Sequence, residues 1–495
     1  MNRIRARTPL FVIALTWLLL VNLSAAAQRA AADDESLPNI VVIFTDDQGY
    51  ADVGCFGAEG YRTPHLDQMA KEGRRFTSFY SAAPACSGSR VSLMTGSYYA
   101  RLHFPLVLFP GSKVGLAAGE MTLAELVKQK GYATACVGKW HLGHQEKFLP
   151  TQHGFDRYLG IPYSNDMTID PKTRLAEGVV LRNGMTRHQI RWEKPRHDWV
   201  PLVRNNEVVE YPANQATLTR RYTEEAVRFI DENAERPFLL YLPHTMPHTP
   251  LFTAEEFTLG AETRYGDVIE EIDWSVGQIL DALKKNNIDE NTLVIFTTDN
   301  GPWLSFGNHA GKATPLREGK GTTFEGGMRV PCIMRWPARI PADSECNVTA
   351  STIDLVPTVA AIIDGQLPEH RLDGKNILPL MTSAEPPESP HEYFCYYKNR
   401  DLEAIRSGPW KLHFRHLYFT IVKPGHDGSH GVNKNKMIEL SLYNLERDIG
   451  ETTNVAAEYP HVVARLRGLA DRARLDIGDN LTGHVGENSR RPDPE

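Results

Sequence analysis

The chain has 495 residues, 41% of them hydrophobic and 23% charged, and a formal net charge of −7. This balance suits a large globular protein with one or two cores and excludes a disordered or fibrous chain. The acidic excess, with no block of Lys or Arg, excludes a nucleic-acid partner, because neutralising phosphates needs a basic face.

The N-terminus reads as an export signal. Arg3, Arg5 and Arg7 precede an apolar run over 9–23, and the small residues of SAAAQ place cleavage near Ala27. The run is shorter than the ~20 residues that span a bilayer, and no later stretch is apolar enough, so no stable membrane span is expected. A signal over 1–27 implies a periplasmic or secreted protein, where disulfides are allowed.

Residues 40–45 form an unbroken β-branched and aromatic run that turns polar at Asp46 and Asp47. Such a run predicts a strand buried on both faces. The design recurs three times: 132–137 leads into GKWHLG, 238–242 into PHTMPHTP and 292–297 into TDNGPW. Helical spacing over 121–131 and 267–287 alternates with these strands. The pattern predicts an α/β fold with a large, mainly parallel sheet flanked by helices, whose ligands gather outside the carboxyl ends of the strands. That rule makes one neighbourhood of Asp46, Asp47, Lys139, His141, His244, His248, Asp299 and Asn300, with His244 read as a packed loop residue.

A linker rich in Pro, Ser and Glu near residue 380 divides this α/β domain (38–380) from a smaller C-terminal antiparallel α+β domain (381–480). Its sheet is predicted from aromatic-rich runs such as EYFCYYKN and HLYFTIV, followed by a helix over 460–475. The polar end, 481–495, reads as a flexible tail. The six cysteines, Cys55, Cys86, Cys136, Cys332, Cys346 and Cys395, show no zinc spacing. Bridges among them stay open, Cys332 and Cys346 being near in sequence, and if Cys86 is spent chemically at least one thiol is left unpaired.

Asp46, Asp47, Asp299 and Asn300 would make an all-oxygen site, which selects Ca²⁺ or Mg²⁺ over zinc and, by its number of side chains, Ca²⁺. Arg90, Lys139, His141, His248 and Lys320 add a concentration of positive charge suited to an oxyanion group. Cys86 stands in CSGSR, a thiol among small hydroxyl residues.

The motifs FTDDQGYADVG, ACSGSRVSLMTG, GKWHLG, GIPYSNDM, PHTP, TTDNG and GKGTTFEGGMRVP, in this order, resemble the sulfatases of the alkaline-phosphatase-like superfamily, most of all the arylsulfatase A and N-acetylgalactosamine-6-sulfatase group. The resemblance implies that a maturation enzyme oxidises Cys86 to formylglycine. One hydroxyl of its hydrate attacks sulfur as a covalent nucleophile, and the other loses its proton and expels sulfate. It also implies that Asp46, Asp47, Asp299, Asn300 and the modified Cys86 bind one Ca²⁺. Arg90 and Lys139 would hold the hydrate, and His141 would take the proton that triggers sulfate release. His248 would protonate the leaving alcohol, and Lys320 and Ser164 would contact sulfate.

The family's C-x-P-x-R motif has Gly88 here at the position usually held by Pro, sometimes by Ala or Ser. The expected substrate is a sulfated small molecule or glycan, with specificity set by the long segments 98–118 and 167–211. Two other readings remain open: a phosphoester or phosphonate hydrolase of the same superfamily, and a non-catalytic binder of sulfated glycans that keeps Cys86 as a thiol.

Overall fold

The structure, a computed structural model, describes residues 37–168, 173–194, 196, 198–258 and 260–491. The export signal and part of the 167–211 segment lie outside them. Five strands run side by side and parallel, in the spatial order Thr292–Thr298, Asn39–Thr45, Phe238–Pro243, Ala133–Val137 and Arg157–Gly160. The first four are buried along their whole length, as continuous apolar runs require in a sheet covered on both faces. Antiparallel strands extend the sheet on both sides, Arg329–Arg335 and Arg74–Tyr80 on one, Leu202–Arg204 and Glu207–Tyr211 on the other. The sheet is therefore mixed, with a parallel centre.

Helices cover it through apolar stripes at helical spacing. Val268, Ile272, Val276, Ile279 and Leu283 of the Arg264–Lys285 helix share one core with Tyr222, Phe229 and Ile230 of the Leu218–Glu232 helix and with the strand residues Val41, Ile43 and Leu240. Downstream, the strands Phe394–Lys398, Asp401–Ser407, Trp410–His413 and Ser441–Asn444 form the expected antiparallel sheet. The helix Pro460–Asp476 follows it.

The described residues from 39 onward form one compact unit. The C-terminal sheet is pinned by Lys411, whose buried Nζ lies 2.9 Å from Glu325 and 3.0 Å from Glu451 and donates to the Thr323 carbonyl at 2.8 Å. Burial would raise the Glu325 carboxyl, but Lys411, Arg329 and Arg406 hold it down at about 2. Lys411→Ala removes the cation that Glu325 and Glu451 share, leaving Glu325 to Arg329 at 3.5 Å, and is expected to cost about 3–5 kcal/mol, read as a lower midpoint in chemical denaturation.

In the polar end read as a flexible tail, Arg490 has a backbone N–H that donates to the Arg101 carbonyl at 2.7 Å and a guanidinium that grips Glu120 at 2.7 and 2.9 Å. A polar composition signalled a free end, but these polar groups meet partners from distant loops. The cysteines are all free thiols. Cys332 and Cys346 pair with Phe76 from its two opposite sides. They stand two strand spacings apart, roughly 9–10 Å, beyond the ~7 Å limit of Cα separation for a disulfide.

Candidate active site

The carboxyl ends of the five parallel strands open on one edge, and the residues expected there converge. The turn after Asn39–Thr45 carries Asp46 and Asp47, and Asp47 takes a left-handed φ of 65° that Asp tolerates. The turn after Thr292–Thr298 carries Asp299 and Asn300. The two turns are tied together, since the Asp47 backbone N–H donates to Asp299 at 3.1 Å and Thr298 Oγ1 donates to the Thr45 carbonyl at 3.1 Å. After Ala133–Val137 the chain passes through Gly138 at φ 137°, where a Cβ would collide with the Pro243 carbonyl. That close approach lets the Lys139 N–H donate to the same carbonyl at 2.7 Å and aims Lys139 and His141 inward.

Cys86 is the first residue of a fully buried helix, Cys86–Thr95, so the helix's free N–H groups and positive end face the same edge. Its Sγ lies 3.5 Å from Asp46 Oδ1. One ligand atom each from Asp46, Asp47 and Cys86 all lie within 4.8 Å of one another. Lys139 Nζ is in contact with Asp46 Oδ2 and donates to Ser164 Oγ at 3.1 Å. Lys320 Nζ sits 2.7 Å from Asp47 Oδ2 and 4.3 Å from the centroid of the Trp303 ring. Arg90 holds Asp299 Oδ2 through Nε at 3.1 Å and Nη2 at 2.8 Å and donates to the Lys139 carbonyl at 3.0 Å.

These carboxylates repel one another. Burial and the charge of Asp46 push Asp299 up to about 7, whereas Lys139, His248 and Arg90 outweigh burial at Asp46 and hold it well below the usual carboxylate range. The donor set fits a hard divalent cation. The Asn300 amide is fixed by its Nδ2 donating to Asp47 Oδ1 at 2.8 Å and to the Gly301 carbonyl at 2.9 Å, which leaves its Oδ1 buried without a hydrogen-bond partner among the described residues. Three carboxylates and an orphaned amide oxygen are oxygen ligands of the kind such ions take.

Two histidines face this cluster in defined states. His141 Nε2 lies 2.9 Å from the Leu108 carbonyl and must donate to it, so Nδ1, buried and unpartnered, carries the lone pair. Burial, reinforced by Lys139, holds His141 well below the ordinary histidine pKa. His248 Nε2 lies 3.2 Å from Ser164 Oγ and 3.7 Å from Asp47 Oδ2. Its Nδ1 meets Asn165 Oδ1 at 2.9 Å. His244 does not join them. Its Nε2 lies 3.3 Å from Ser275 Oγ on the Arg264–Lys285 helix, and burial pushes it down to about 4.

Sequence reasoning missed Asn165 and Trp303. The Asn165 Nδ2 donates to the Pro250 carbonyl at 2.8 Å, which turns its oxygen toward His248 Nδ1 and points Nε2 into the site. Trp303 packs on the His248 ring with centroids 5.3 Å apart. Both sit in motifs already singled out, GIPYSNDM and TDNGPW, but nothing in either string reveals a contact to a histidine some 83 residues away in one case. Asn165→Ala should free the His248 ring and lower turnover by roughly 10- to 100-fold, most on substrates with poor leaving groups.

An oxygen-rich cluster, a cysteine at a helix N-terminus and a cationic rim at the carboxyl edge of a mainly parallel sheet are the arrangement of the alkaline-phosphatase-like fold. Residues 38–365 match the family described as Sulfatase, and residues 389–490 match the C-terminal region of aryl-sulfatase. N-acetylgalactosamine-6-sulfatase of Canis lupus familiaris is 39% identical over 416 residues, covering 80% of this chain and 75% of that protein. Arylsulfatase A of Homo sapiens is 37% identical over 484 residues, covering 92% and 91%. The solved structure of Ps i-CgsB in complex with k-i-k-neocarrahexaose is similar with a TM-score of 0.72 and 29% identity, covering 88% of this chain and 93% of that one. The chain belongs to the sulfatase family and is a hydrolase of sulfuric esters.

Proposed function

We propose that the protein is an exported, Ca²⁺-dependent sulfatase that removes sulfate from a glycan, using formylglycine made from Cys86 by a maturation enzyme. The observation that carries this reading is the meeting of Cys86 with Asp46 and Asp47 inside one ring of cations. A glycan substrate is supported by the neocarrahexaose bound to the similar Ps i-CgsB. Export rests on the basic and apolar N-terminus with its small residues before Ala27, and no helix among the described residues is long and apolar enough to cross a membrane. The family boundaries at residues 365 and 389 support a break near residue 380 between a catalytic domain over 38–380 and the C-terminal domain read over 381–480, where the family match itself runs to 490.

Asp46, Asp47, Asp299 and Asn300 would hold the calcium together with the modified Cys86. When bound, the cation polarises a sulfate oxygen and lowers the pKa of a hydroxyl brought against it. Formylglycine supplies, as its hydrate, two hydroxyls on one carbon, one to attack sulfur and one to drive sulfate out. Lys139 and Arg90 hold the hydrate oxygens, and Arg90 also fixes the Asp299 carboxylate. Lys320 and Ser164 hold the sulfate. His141, neutral with Nδ1 open, takes the proton that triggers sulfate release. His248, held by Asn165 with Nε2 facing inward, gives its proton to the leaving alcohol.

Burial and Lys320 keep His248 well below the ordinary histidine range. Its acid form therefore grows as pH falls, while His141 stays neutral. kcat/KM on an alkyl sulfate is expected to rise from about pH 8 toward about pH 5. His248→Ala should flatten that profile and slow alkyl sulfates by roughly 10²- to 10⁴-fold, with a far smaller loss on activated aryl sulfates. Equal losses on both substrate types would remove His248 from this role.

A further inference from the structure

We infer that Thr323 is a positioning residue for Lys320, held in place by two strands of the C-terminal sheet, so that sulfate affinity is set in part from the C-terminal domain; this rests on the reading of Lys320 as a sulfate contact.

Lys320 stands on a tight turn. The Thr322 N–H and Oγ1 both donate to the Gly319 carbonyl, at 3.2 and 2.8 Å, and Gly321 takes a left-handed φ of 80°. Two backbone bonds tie the turn to the catalytic edge. The Lys320 N–H donates to the Pro302 carbonyl at 3.0 Å, and the Gly321 N–H donates to the carbonyl of Pro84, two residues before Cys86, at 2.7 Å. The lysine stem is flexible, so the place of its ammonium follows the place of the turn.

The other side of the turn is held from the C-terminal sheet. Thr323 is fully buried and gripped at both of its oxygens: Lys411 Nζ donates to its carbonyl at 2.8 Å, and its Oγ1 donates to Glu403 Oε2 at 2.7 Å. Glu403 and Lys411 lie on the paired strands Asp401–Ser407 and Trp410–His413. The next two residues are held by the same domain. The Phe324 ring stacks on His413 with centroids 4.8 Å apart, and the Glu325 N–H donates to Glu451 Oε2 at 2.7 Å. Three consecutive residues after the Lys320 turn thus take their places from one rigid element, the support that a binding group on a loop needs. Glu403 and Lys411 are themselves buried, and buried charges are weak evidence for stability alone. Both end on the residue that fixes the turn. A displacement of about 1 Å there is of the size that costs up to about 10²-fold at an active site.

The test reads KM for p-nitrocatechol sulfate and the inhibition constant of inorganic sulfate. Neither depends on the fraction of enzyme that is folded and active, so damage to the fold alone lowers only the apparent kcat. Thr323→Val keeps the shape and loses the hydroxyl, and should raise both constants roughly tenfold together. Glu403→Ala, which removes the acceptor and leaves no carboxylate unpaired, should do the same, and Thr323→Ser should stay within about twofold of wild type. Tyr397→Phe removes a 2.9 Å bond to the Gly478 carbonyl elsewhere in the same domain and should leave both constants unchanged. In a Lys320→Ala background, where sulfate affinity is already weakened, Thr323→Val should add less than about twofold. Unchanged constants in Thr323→Val and Glu403→Ala beside a weakened Lys320→Ala would overturn the positioning role, as would a full further loss in the double variant. Unchanged constants in Lys320→Ala would overturn the sulfate contact and the positioning role with it. Titration of sulfate by calorimetry gives the same comparison without turnover; a protein that hydrolyses no sulfate ester yet shows these shifts would overturn the sulfatase mechanism and keep Thr323 in its role.

Discussion

Cys86→Ala is expected to lower sulfate-ester turnover by a factor on the order of 10⁴ or more, because alanine offers neither the thiol nor the aldehyde hydrate that would be made from it. The thiol itself is a poor candidate for that work. Burial pushes its pKa up, and the nearby charges of Lys139 and Lys320 do not bring it back. A protonated thiol in a dry site is a weak nucleophile, whereas the hydrate of an aldehyde at the same carbon brings two oxygens to the same cations. Cys86→Ser separates the two steps. It retains one hydroxyl and lacks the second, so it should take up sulfate once and stall, with the ester visible by mass spectrometry. The native Cys86 peptide should carry the mass of an aldehyde or its hydrate. A serine variant that turns over repeatedly would point to phosphatase-like chemistry, and a wholly thiol Cys86 in an inactive protein would point to a binder of sulfated ligands.

Gly88 shows where sequence reasoning reaches its limit. Read as a string, the missing proline suggests a loosened motif into which proline would fit. In the folded chain the Gly88 N–H donates to the Leu106 carbonyl at 3.0 Å, and a Cβ would meet Ala83 at 3.0 Å, Tyr99 at 3.1 Å and Leu106 at 3.3 Å. A proline would lose that bond and press a ring into the gap, so it belongs to a differently packed neighbour. Part of the 98–118 segment also supports the helix of Cys86 and fixes the His141 tautomer through Leu108.

What the sequence does disclose follows from its physics. A strand buried on both faces must be a continuous apolar run, so the four strands and the polar residues at their ends are visible without a structure. The strand-end residues therefore emerge as one neighbourhood, and Cys86 and Lys320 take their roles beside it through the resemblance of their motifs to the sulfatases. Asn165 and Trp303 do not, because each meets His248 through a contact between segments far apart in the chain. The anchoring of Arg490 escapes for the same reason. Local composition says a segment is polar but not whether a distant carboxylate such as Glu120 awaits it.

Purified protein is expected to hold roughly one Ca²⁺ per chain, and Asp299→Ala should lose both the ion and at least about a thousandfold in turnover. Asp299 is the member of the cluster under most strain. Burial and the neighbouring Asp46 charge raise it to about 7, and only Arg90 meets it directly with charge. A dication among Asp46, Asp47 and Asp299 removes that repulsion and gives the Asn300 oxygen a partner, which no side chain among the described residues provides. Deleting the Asp299 carboxylate would remove one ligand and also leave Arg90, fully buried, with the Lys139 carbonyl, a 3.6 Å contact to Asp46 and the Phe44 ring at 5.4 Å in place of its close ion pair. The variant should therefore bind calcium poorly by elemental analysis and also unfold at a lower temperature. A chelator should inactivate the wild type, and added Ca²⁺ should restore it. Stoichiometric zinc with no calcium in the wild type would overturn the assignment, because an all-oxygen set with a buried amide carbonyl has no soft ligand with which to prefer zinc.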